Sequence, residues 1–123
     1  MHLVIGGAYQ GKLTWAVKEY ALSEDELCDL ANAEPDALKR CYYHLESFTR
    51  RAAIQNMSAE SVVLTLCQRE DAVIVSREIG SGIVPMDSSE RAMRELHGTV
   101  LKRLAMRAET VTRVFCGLAE VLK

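Results

Sequence analysis

His2-Leu3-Val4-Ile5-Gly6-Gly7-Ala8-Tyr9-Gln10-Gly11-Lys12-Leu13-Thr14 carries a short apolar run into a glycine-rich turn, and the turn opens an amphipathic stretch. Leu3 to Ile5 read as a buried strand ended by two glycines. Gly6, Gly11 and Lys12 stand at the G-x-x-x-x-G-K spacing of a phosphate-binding loop. Such a loop turns several backbone N–H groups inward, which glycine permits by tolerating positive φ and placing no side chain in the way. The following helix adds its free N–H groups and positive dipole end, and Lys12 adds a full charge. The candidate nucleotide-binding residues are therefore Gly6, Gly7, Ala8, Tyr9, Gln10, Gly11, Lys12, Leu13 and Thr14. Where the motif has Ser or Thr to hold Mg²⁺, this chain has Leu13, which falls with Ala16, Val17 and Tyr20 on one apolar helix face running to about Leu22. Thr14 replaces the lost hydroxyl only if the helix start shifts by one residue.

Composition places the chain among ordinary globular proteins. Its 123 residues suit one domain, spanning 1–123, and 49% apolar with 26% charged residues excludes disorder. A net charge of −2 argues against a general nucleic-acid binder. No apolar run reaches the ~18 residues of a membrane span, and the N-terminus lacks the basic and apolar regions of a secretory signal, so a cytoplasmic protein is expected. Cys28, Cys41, Cys67 and Cys116 form no C-x-x-C pair and read as buried thiols.

Outward from the loop, Leu27 to Ala31 read as a second strand with Asp29 near its C-terminal end. After Pro35, Leu38, Cys41, Tyr42, Leu45, Phe48 and Ala52 make one apolar stripe at helical period, with Glu46 among the residues covering the other side and His44 between the two. Ser58 is a candidate N-cap. Asp71 to Ser76 form a buried strand, followed by a glycine-containing loop, Arg77 to Pro85. Asp87 with Glu90 has the spacing of a capping box, and opens a helix with Met93, Leu96, Val100, Leu101 and Leu104 inward and His97 toward solvent. Thr110 to Cys116 alternates like a strand. Strands alternating with helices call for an α/β fold: a three-layer, P-loop-type sheet, mostly parallel, with helices on both faces. Ligands bind such sheets beyond the carboxyl ends of the strands, which brings Gly6–Lys12 and Arg77–Gly82 to one edge.

At that edge Lys12 and Glu78 are the candidate catalytic residues, Glu78 reaching a metal or a substrate hydroxyl beside the loop. Gly80, Ser81 and Gly82 are candidates for lining the site. Asp29 and Thr14 are the candidate Mg²⁺ ligands, Asp29 as a strand-end acid holding the ion through water.

Two segments resemble the adenosylcobinamide kinase/adenosylcobinamide-phosphate guanylyltransferase family. Leu3-Val4-Ile5-Gly6-Gly7-Ala8-Tyr9-Gln10-Gly11-Lys12 resembles its phosphate loop, and Val75-Ser76-Arg77-Glu78-Ile79-Gly80-Ser81-Gly82-Ile83-Val84-Pro85 its N-E-V-G-x-G-I-V-P segment. Arg91 through Leu104 to Val114-Phe115-Cys116-Gly117 runs in step with it. The resemblance implies a P-loop kinase of cobalamin biosynthesis, often a homotrimer, using Mg²⁺ with GTP or ATP on a corrinoid, adenosylcobinamide. It also implies a guanylyl transfer through a histidine. The family's His-His segment has no counterpart here, where Ser23 to Glu26 stand, so a short, divergent relative without the guanylyltransferase step is expected. The alternative is a non-catalytic nucleotide-binding or oligomeric assembly module.

Overall fold

The computed structural model describes residues 1–7, 11–78 and 87–123. Ala8, Tyr9, Gln10, Gly80, Ser81 and Gly82, all expected at the site, lie outside the described residues. The elements are β1 (His2–Gly6), α1 (Lys12–Glu19), β2 (Leu27–Asp29), β3 (Cys41–Tyr43), α2 (Leu45–Ile54), α3 (Ala59–Leu66), β4 (Val73–Arg77), α4 (Ser88–Arg107), β5 (Thr110–Phe115) and β6 (Leu118–Val121).

The strands form one six-stranded sheet in the order β2-β3-β4-β1-β5-β6, parallel except for the antiparallel β5–β6 pair. Alternating side chains feed two cores. Leu3, Tyr42, Ile74 and Val111 face α2, α3 and α4, whereas Val4, Cys41, Val73, Val75 and Val114 face α1 with Ala16. The sheet is thus covered on both faces, as expected of this α/β class.

The stripe after Pro35 is not one helix. Cys41 packs into one core and Tyr42 into the other, which is the period of a strand, and only Leu45, Phe48 and Ala52 belong to a helix. Leu38, counted in the stripe, is 85% exposed. Ser58 does cap α3, its hydroxyl accepting from Ser61 N at 3.1 Å. At α4 the Asp87 carboxylate caps Ser89 N at 2.7 Å, but Glu90 turns outward to pair with Arg50 instead of closing a capping box. His97, expected toward solvent, is fully buried. Cys28 and Cys41 are buried as expected, while Cys116 is exposed.

Candidate functional site

β1 and β4 lie side by side with Gly6 opposite Arg77, and the pairing continues one step further through Glu78 N donating to Gly6 O at 2.9 Å. The two segments distant in sequence therefore leave the sheet together, as far as Gly7 and Glu78. Gly6 is required by a close approach. A Cβ there would sit 2.5 Å from the Val114 carbonyl of β5 and 3.2 Å from the Lys12 stem. Gly11 begins α1 at φ +82°, a left-handed conformation that glycine adopts without strain.

Lys12 bends back over the turn, its Nζ donating to Gly7 O at 2.8 Å. Burial lowers its pKa; Glu46 and Glu78 pull the other way, Arg77 adds to the lowering, and the net shift is downward. Around it is a cavity of about 360 Å³ lined by Lys12, Leu13, Tyr43, His44, Glu46, Val75, Ser76 and Arg77. A desolvated cation at the mouth of a strand-to-helix turn suits a phosphate, which supplies the missing counter-charge.

The expected acids are placed differently. Glu78 pairs with Arg113 of β5 at 3.4 Å, a partner the sequence did not suggest. Asp29 ends β2, at the far edge of the sheet from β5, and its oxygens accept from Ala31 N (2.9 Å), Asn32 Nδ2 (2.9 Å) and His44 Nδ1 (2.7 Å). Burial alone would raise the Asp29 pKa, yet these bonds outweigh it and the carboxyl titrates below its ordinary value. Thr14 is exposed on α1 and does not line the cavity. The residues expected to hold Mg²⁺ therefore do not fit it: Leu13 fills the hydroxyl's place, and Asp29 serves three donors.

His44 and Glu46 are the site residues that sequence reasoning missed. Both line the Lys12 cavity, and both border an adjoining cavity of about 580 Å³ that includes Arg50, Arg77, Glu90 and Arg94. The signal lay in Tyr42-Tyr43-His44: a strand ending in a polar residue, concealed by the helical spacing around it. Beneath the floor lies a buried network. His97 Nε2 reaches Arg77 O and Ser76 Oγ at 3.2 Å, and Nδ1 meets Thr49 Oγ1 at 2.7 Å. The Arg77 carbonyl only accepts, so its bond to Nε2 requires the Nε2–H tautomer, in which Thr49 turns its one proton from the Leu45 and Glu46 carbonyls to Nδ1. In that tautomer His97 cannot act as a base toward Ser76.

Among the described residues no group of three or more His, Cys, Asp or Glu is arranged to hold a metal ion, and no helix is long and apolar enough to cross a membrane. Comparison with known proteins adds a relationship. The chain is 38% identical over 64 residues to the bifunctional adenosylcobalamin biosynthesis protein CobU of Salmonella typhimurium, a match covering 50% of this chain and 35% of that protein. It spans about a third of the length of this relative. A sequence model for cobinamide kinase/cobinamide phosphate guanyltransferase matches residues 36–122, a stretch that holds His44, Glu46, Arg77 and Glu78 but not the Gly6–Lys12 turn. That match covers well over half of the chain, which therefore belongs to the cobinamide kinase/cobinamide phosphate guanyltransferase family.

Proposed function

We propose that this protein binds a nucleoside triphosphate, GTP or ATP, in the Lys12 cavity and transfers its γ-phosphate to a corrinoid hydroxyl, that of adenosylcobinamide, without the guanylyl-transfer step. The observation that carries this reading is Lys12 itself. It is partly desolvated and drawn onto Gly7 O at the carboxyl ends of β1 and β4, where an α/β sheet receives its ligand. Phosphoryl transfer is mainly positioning and charge stabilisation, for which Lys12, Arg77 and the α1 N-terminus are suitable groups. Mg²⁺ arriving on the nucleotide would be held by phosphate oxygens and water. The relative is named as an adenosylcobalamin biosynthesis protein, which supports a role in the same chemistry here.

Calorimetric titration with GTP and ATP, with and without Mg²⁺, tests the reading. Micromolar binding is expected, with affinity falling at least about tenfold in Lys12→Ala. A Lys12→Ala protein that binds as tightly as the parent would sink the scheme.

A second reading, a binding module without turnover, is favoured by Leu13 at the cavity wall and by the engagement of Asp29. Triphosphate binding with no phosphorylated corrinoid would select it. Assembly into a homo-oligomer, such as a trimer, belongs to either reading and is measured by sedimentation.

A further inference from the structure

Resting on the phosphoryl-transfer reading, we propose that the Asp29–His44 pair is the base of that reaction, with His44 Nε2 taking the proton of the acceptor hydroxyl. The argument begins with the backbone. A helix N-cap normally lends a short side-chain oxygen to the first-turn N–H groups. His44 occupies the N-cap of α2 at φ +58°, ψ +45°, makes no side-chain cap, and turns its ring to Asp29 instead. A β-carbon in the left-handed region and a forgone cap are both local costs, and local rules are broken in this way at functional positions.

The chemistry follows from the bond. The Asp29 carboxylate accepts from Nδ1 of His44, so in the neutral ring the Nδ1–H tautomer is held and Nε2 carries the lone pair. No hydrogen bond joins Nε2 to a described residue. Asp29 is itself held by Ala31 N and Asn32, which fixes the ring it orients. Location completes the case. His44, Glu46 and Arg77 are the residues shared by the Lys12 cavity and the adjoining one, so His44 stands where a donor in the first meets an acceptor in the second. Glu78 is paired with Arg113, and Glu46 turns Oε2 to the Arg77 backbone N at 3.5 Å.

In the step, the acceptor O–H bond breaks as its oxygen bonds to the γ-phosphorus. The proton passes to Nε2, and the bond from the γ-phosphorus to the bridging oxygen breaks to release nucleoside diphosphate. Asp29 stabilises the imidazolium, which then returns its proton to water. Asp29 is thus a positioning residue, and His44 the group that touches substrate.

The test uses His44→Gly, because glycine adopts φ +58° without strain. Triphosphate Kd is measured by calorimetry and kcat with adenosylcobinamide, each with and without added imidazole. His44→Gly should lower kcat by about a hundredfold or more, leave Kd within about twofold, and regain part of kcat with imidazole. Asp29→Asn should lower kcat at unchanged Kd and gain nothing from imidazole. An unchanged kcat in His44→Gly, or a loss that imidazole does not relieve, overturns the inference while leaving the kinase reading intact. So does label from α-phosphate-labelled GTP held covalently by the parent and absent from His44→Gly, since the imidazole would then be a nucleophile. A parent protein that binds triphosphate but phosphorylates no acceptor removes the kinase reading and the base with it.

Discussion

At position 97 an imidazole lies wholly inside the protein, joining Thr49 of α2, Ser76 and the Arg77 carbonyl of β4. Burial lowers its pKa; the Arg77 carbonyl bond and the Glu46 charge oppose the shift without cancelling it. The folded protein thus binds this proton more weakly than the unfolded chain. Stability from neutral His97 is complete above the unfolded value of about 6.5 and declines as pH falls below it. The parent should lose melting temperature between about pH 7.5 and about pH 5.5, and His97→Gln should flatten that slope while costing roughly 1–2 kcal/mol at neutral pH. A residual slope of the same sign is expected from His2, also lowered chiefly by burial. Thermal melts of both proteins at the two pH values check this. His97 was misread because a histidine among Arg94, Glu95 and Thr99 looks like part of a polar face, and only packing reveals the hydroxyls waiting for it. Lys12 was legible because its role depends on nearby glycines. His44 was not, since its partner is 15 residues away.

Among the elements, α4 shows how much a helix can concede to its surroundings. Gly98 sits inside this 20-residue helix, and a Cβ there would meet nothing within 4 Å. Gly98→Ala should therefore stabilise the protein by about 0.5–1 kcal/mol, read as a rise in denaturation midpoint at unchanged slope. A fall in midpoint would mean that this turn makes contacts only glycine allows. The ends of the helices could be read from sequence through Ser58 and Asp87, because caps are local chemistry. Glu90 could not, since Arg50 on α2 competes for it across 40 residues. β3 was hidden for a similar reason. Three residues are too few to show alternation, and Leu38 and Leu45 happen to extend their spacing into a helical stripe.

Across the whole molecule, position in the sheet sets the order of local stability. β1 is paired on both sides, while β6 hangs on β5 alone with all four residues exposed. Amide exchange should be slowest for Leu3–Ile5, opening only with global unfolding, and at least about a hundredfold faster for Leu118–Val121. Equal protection in the two strands would contradict this architecture. The class of the fold was legible because βα alternation admits few arrangements, and the meeting of Gly6 with Arg77 followed from the rule for strand carboxyl ends. The strand order was not, because nothing local in His2–Gly6 states which later strands will flank it. That arrangement bears on how the chain folds. His2 meets Thr110 across 108 residues, so β1 is synthesised long before its β5 neighbour exists. Its apolar Leu3-Val4-Ile5 must wait without a strand partner until β4 has emerged, and stays open to aggregation on its other side until β5 follows.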